Sequence, residues 1–125
     1  MCQSFCLDNT QPMTNTLITT AYNAFNARDI DAALATMTPT VRWPKAWEGD
    51  FVTGYDQIRD YWTRQWAEIN PHVNPVNIAP LPDGRIEVTV HQLVKDLSGA
   101  VVFDGTVKHI FTLADNRIAA MEIAQ

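Results

Sequence analysis

From Thr14 the apolar residues Leu17, Ile18, Ala21, Tyr22, Ala24 and Phe25 recur every three to four positions, the spacing of one face of a helix. That helix should end near Asn26 to Arg28. Asp29 then stands where it can cap a second, shorter helix with the buried stripe Ile30, Ala33, Leu34 and Met37, stopped by Pro39. Two helices packed as a hairpin are expected. Thr40 to Pro44 carries Val41 and Trp43 on one side and Arg42 on the other, which predicts a short strand with both apolar residues inward. Lys45 to Gly54 lacks helical periodicity and contains two glycines, so it reads as a loop or hairpin. Thr53 and Asp56 can form a capping pair for a third helix, whose apolar face is Ile58, Tyr61, Trp62, Gln65, Trp66 and Ile69 and which Asn70 and Pro71 end.

Beyond Pro71 the period changes to two. Strands are predicted over 73–81, 85–95, 101–113 and 117–123, separated by the turn signals Pro82-Asp83-Gly84, Ser98-Gly99 and Asp115-Asn116. Alternation puts Ile86, Val88, Val90, Gln92 and Val94 on one face, and Phe103, Val107, His109, Phe111 and Leu113 on one face of the next strand. Three helices followed by a long antiparallel meander make an α+β fold in which helices cover one face of a sheet.

Composition narrows the function classes. The 125 residues suit one domain, and 46% hydrophobic with 18% charged residues is a globular balance. A net charge of −5, with basic residues scattered singly, offers no stripe to neutralise a phosphate backbone, so nucleic acid is not an expected partner. No apolar run approaches the roughly 20 residues of a membrane span, and a cytoplasmic protein is the simplest expectation. Cys2 and Cys6 have no His nearby to complete a zinc set and read as free thiols. Residues 1–12 are expected to be a flexible leader and 13–125 the single domain, with Met13 opening the first helical pattern.

The run Tyr22-Asn23-Ala24-Phe25-Asn26-Ala27-Arg28-Asp29-Ile30-Asp31, then Thr38-Pro39-Thr40-Val41-Arg42-Trp43, Gly54 ahead of the third helix, Gly105 to Phe111, and Asp115-Asn116-Arg117-Ile118 carry a resemblance. Over about residues 14 to 124 the chain resembles the nuclear transport factor two-like superfamily and, within it, the SnoaL-like and ketosteroid isomerase-like proteins. The resemblance implies a cystatin-like cone: three helices on a strongly curved antiparallel, or mixed, sheet around a deep apolar cavity. It also implies frequent dimerisation through the outer sheet face. Members include isomerases, dehydratases, cyclases, epoxide hydrolases and pure binding modules, so the cavity residues must decide the activity.

In the isomerase-like members an Asp ending the first strand abstracts a proton beside a carbonyl, and here the resemblance places Trp43 at that position; indole cannot accept the proton. His109, turned inward by alternation, is the remaining titratable candidate, as acid, base or donor, against the alternative of a core histidine satisfied by a neighbour. Tyr22 is a candidate donor within one residue of the isomerases' Tyr, or a core aromatic. Gln92 is an inward amide that needs His109 or a ligand as partner. Asp50, with Glu48 near it, could replace the missing base if the loop folds inward. Trp43, Trp47, Trp62, Val107, Phe111 and Met121 complete the expected lining, with a fully filled core as the alternative. His91, on the opposite face of its strand, and His72, beside Pro71 in a connection, read as surface or interface residues.

Two functions stay open at this point. One is a SnoaL-like isomerase, cyclase or lyase acting without metal or organic cofactor on an apolar polyketide-, steroid- or terpenoid-like compound, with His109, Tyr22 and Asp50 as catalytic candidates. The other is a non-catalytic ligand-binding or dimeric accessory module.

Overall fold

A computed structural model of the chain describes the backbone of residues 2–46 and 48–124, with side chains from Thr14 onward. The elements run α1 (Cys2–Asn26), α2 (Ile30–Leu34), β1 (Met37–Pro44), β2 (Phe51–Thr53), α3 (Tyr55–Trp66), β3 (Ile69–Pro80), β4 (Ile86–Asp96), β5 (Val101–Ala114) and β6 (Arg117–Ala124). The strands form one sheet in the order β2-β1-β6-β5-β4-β3. β3 to β6 are the expected antiparallel meander, and β1 joins it parallel to β6, so the sheet is mixed. The helices pack on one face of this curled sheet, which is the α+β plan the sequence predicts. Among the described residues no helix is long and apolar enough to cross a membrane.

α1 buries Ile18, Ala21, Tyr22 and Ala24, the stripe read from the spacing. The backbone of residues 2–12, expected as a leader, continues this helix; the side chains there, Cys2 and Cys6 included, lie outside the described residues. The helix stops where Arg28 takes a left-handed φ of 63° and the Asp29 amide bonds back to Ala24 O at 2.9 Å. The Arg28 guanidinium then spans the corner. It donates to Phe25 O, to Pro71 O at 2.8 Å and to Asn70 Oδ1, and it lies 4.8 Å over the Trp66 ring.

A second tie joins the same elements. Asn26 Nδ2 donates to Val73 O at 2.7 Å, and the Val73 N–H donates to Asn26 Oδ1 at 2.9 Å. Val73 is buried, so Asn26→Ala leaves a backbone donor and acceptor unmet together. A loss of about 1–3 kcal/mol in urea unfolding is expected, and a change under about 0.5 kcal/mol would show that water replaces the amide at no cost.

Asp29 caps α2 as expected, its Oδ1 accepting from the Ala32 amide at 3.1 Å. The helix ends at Leu34, however, and Met37 is a buried strand residue of β1 rather than the last of a helical stripe. The chain is drawn into the sheet early: Ile118 N–H donates to Thr36 O at 2.8 Å, and Met37 pairs with Ile118. Pro39, expected as a helix stop, sits inside β1 where the register with β6 shifts and where β2 has not yet begun to pair, so its missing N–H breaks no ladder bond.

Of the loop or hairpin expected over 45–54, the hairpin forms, with Lys45 N–H donating to Asp50 O at 2.8 Å. The expected Thr53–Asp56 capping pair does not. Gly54 is the N-cap at φ 86°, a conformation costly for any residue with a Cβ, and Gln57 Oε1 instead accepts the Thr53 N–H at 2.9 Å. α3 also ends at Trp66, earlier than Asn70, because Ile69 already pairs with Asp96 of β4. β3 is an edge strand, which is why Pro71, Pro75 and Pro80 can lie within it.

Alternation on β4 is as expected: Ile86, Val88, Val90 and Val94 are buried, with Gln92 partly so. On β5 it holds for His109 and Phe111 and fails at Phe103, which is 44% exposed. β6 pairs with β5 only from Lys108 onward, so Phe103 lies on the end of β5 that β6 does not reach, with its ring beside Gly105.

Candidate functional site

A cavity of about 70 Å³ lies between α1, α3 and the inner sheet face. Its inner end is built by two elements far apart in sequence. Tyr22 on α1 and His109 on β5 meet with Tyr22 Oη 2.7 Å from His109 Nδ1, their rings nearly parallel at 11°. Phe111 closes edge-on against both. Burial pushes the His109 imidazole down from 6.5 to about 4 and raises the Tyr22 phenol well above its usual value, so both are neutral near pH 7.

The wall is aromatic. Trp43 from β1 meets Trp62 from α3 edge-on at 5.7 Å and Phe111 at 6.3 Å, while Phe25 packs on Trp62 at 5.2 Å. Tyr61 and Gln65, one helical turn apart on α3, form the floor, with Gln65 Nε2 donating to Tyr61 Oη at 3.1 Å. Gln65 Oε1 is buried without a partner among the described residues. The more exposed lining residues Ala46, Gln92 and Ile123 mark the rim.

Of the sequence-predicted residues, His109, Tyr22, Trp43, Trp62, Gln92, Phe111 and Met121 line the cavity together. Val107 does not; it packs against the core outside it. Asp50 is exposed at φ 68° in the β1–β2 turn and does not line the cavity, because closing the hairpin turns it to solvent. Glu48 is exposed as well and pairs with Arg64 at 3.0 Å and Lys45 at 3.7 Å, which hold its carboxyl below the usual range, the Arg64 hydrogen bond most of all. Trp47 lies outside the described residues. His91 and His72 are exposed as expected, although His72 belongs to β3 and not to a connection. No described lining residue is Asp, Glu, Lys or Arg.

Sequence reasoning assigned Tyr61 and Gln65 only to the buried face of α3. The signal that could have promoted them was present: a glutamine within an otherwise apolar helical stripe has to find partners inside. Pro71 and Met37 were missed because their segments were read as helix ends.

With this geometry in view, the relatives can be placed. The SnoaL-like domain family model matches residues 18–121. The GPI inositol-deacylase of Chaetomium globosum is 31% identical over 106 residues, 74% of this chain but 9% of the deacylase. The chain therefore spans less than about a tenth of the length of the curated relatives it matches. Among solved structures, TerC co-crystallized with polyporic acid superposes with a TM-score of 0.78 at 23% identity, covering 90% of each chain. A putative polyketide cyclase from Xanthomonas campestris gives a TM-score of 0.73 at 20% identity over 90% of this chain and 89% of its own. The architecture is that of the nuclear transport factor two-like, ketosteroid isomerase-like and cystatin-fold proteins. On the match over residues 18–121, the chain belongs to the SnoaL-like domain family.

Proposed function

We propose that this chain binds a flat, mainly apolar organic molecule in the cavity, with its rings against the Trp43, Trp62 and Phe111 wall and its polar end toward Tyr22 and His109. One observation carries the reading. An apolar hollow has at its inner end a buried, neutral polar pair, and one ring nitrogen of that pair, His109 Nε2, has no partner among the described residues. A histidine kept only for packing is ordinarily satisfied at both nitrogens.

The resemblance in fold to TerC makes polyporic acid a suitable first probe. Titrated into the protein, it should quench tryptophan emission to saturation, and Trp43→Ala should weaken binding about tenfold, the worth of about 1–1.5 kcal/mol of ring contact. Unchanged affinity in Trp43→Ala would place the ligand elsewhere.

Catalysis as an isomerase, cyclase or lyase on a polyketide-, steroid- or terpenoid-like compound is a second reading, favoured by the fold shared with the putative polyketide cyclase. Against it stand Trp43, where the resemblance puts the base of the isomerase-like members, and a described lining without a carboxylate. The binding reading also includes a homodimer through the outer sheet face, where Leu93 and Ile110 are apolar and only partly covered. Sedimentation at micromolar concentration should give twice the 14.1 kDa chain mass; a monomer there rules the dimer out.

A further inference from the structure

The contact between Tyr22 Oη and His109 Nδ1 at 2.7 Å can be made in two ways. If the phenol donates, its hydrogen and the Nδ1 lone pair are both used, and the imidazole proton sits on Nε2. If Nδ1–H donates instead, the phenolic hydrogen and the Nε2 lone pair are both left over. Neither side chain has another hydrogen-bond partner among the described residues, and Tyr22 is 5% and His109 6% exposed. The first arrangement leaves one polar group unmet in the cavity and the second leaves two, so the first is favoured.

We infer that Tyr22 is a positioning residue that locks His109 in the Nε2–H tautomer, so that the cavity presents a hydrogen-bond donor and selects ligands with a carbonyl oxygen at their inner end. This rests on the reading that the cavity binds a small molecule. It adds the chemistry of the ligand's buried end, a ketone or quinone oxygen rather than an N–H or a bare ring edge. It also explains how a site with no carboxylate among its described lining residues can be selective. The only lone pair on the imidazole ring is occupied by Tyr22, so His109 serves the ligand as a neutral donor and not as a proton acceptor.

The tautomer is read without any ligand. In a two-bond ¹H–¹⁵N spectrum of the native protein, His109 should show a protonated Nε2 and an unprotonated Nδ1 at neutral pH, and in Tyr22→Phe the two tautomers should mix. The ligand class is read with three probes of one shape: 1-indanone, indane and indole. In the native protein 1-indanone should bind about tenfold tighter than indane, the value of one buried hydrogen bond, and indole no better than indane. In Tyr22→Phe the preference for 1-indanone over indane should fall to about twofold or less. A protonated Nδ1 in the native spectrum overturns the positioning role, and that spectrum decides the matter even if Tyr22→Phe does not fold. Indole or indane binding as tightly as 1-indanone overturns the ligand class. Failure of all three to bind, with the Nε2–H tautomer observed, overturns the cavity reading and leaves the tautomer assignment standing.

Discussion

Trp62→Ala should lose about 3–5 kcal/mol of stability, the cost of truncating a large aromatic ring in a core that cannot collapse around the hole. Trp62 is 1% exposed and is met by three other rings, those of Phe25, Trp43 and Trp66, at centroid distances of 5.2, 5.7 and 5.7 Å. Truncation removes the transfer energy of the indole and three edge or tilted ring contacts together, and the wall of an existing cavity offers nothing to move into the gap. For a domain whose total stability is about 5–15 kcal/mol, that is about a fifth of the whole at the least. Urea unfolding followed by far-ultraviolet circular dichroism would measure it, since the variant removes one of the fluorophores. Trp43→Ala should cost less, because that ring is partly exposed and already faces the cavity. Equal losses, or a loss under about 1 kcal/mol at Trp62, would mean that the ring cluster is not the dry support of the site.

The same contrast shows how much of the site was legible in the sequence. Strand alternation on β5 turned His109 and Phe111 inward, and helical spacing on α1 put Tyr22 on the buried face. Period and burial share one cause, so these residues could be read from the pattern. What alternation could not supply was the meeting of Tyr22 with His109, 87 positions apart, because it depends on the axial offset of α1 across the sheet. Met37 and Ile69 were misplaced for a related reason. Each is an apolar residue that continues a helical stripe by one more turn, and each is claimed by a strand partner, Ile118 and Asp96, that lies far along the chain. Local periodicity is indifferent between the two fates; the ladder bond decides. Asp50 failed differently. Its carboxylate was the right chemistry for a missing base, yet a tight turn between paired strands spends such a residue on left-handed backbone geometry.

Burial of His109 also has a consequence that can be measured without knowing any ligand. Its proton equilibrium lies near about 4 in the folded protein, lowered by desolvation, against about 6.5 in the unfolded chain. Between those values the unfolded chain binds a proton that the folded chain refuses, so stability rises with pH through this window. The contribution is complete above about 6.5 and lost as pH falls toward about 4, on the order of 3 kcal/mol in all. Carboxylates held low by their partners, such as Asp96 beside Ser98 and Asp83 beside Arg85, add a further loss only as pH drops below their ordinary values. The His109 contribution is isolated by subtraction. His109→Gln keeps an amide that can accept from the Tyr22 hydroxyl and carries no proton to lose. Its unfolding free energy should therefore be flatter than the native profile between pH 6.5 and 4.5, and the two curves should converge as the solution is acidified. Parallel curves across that range would mean that the imidazole is open to water on its Nε2 side, and the hollow beside it would then be a wet cleft and not an apolar pocket.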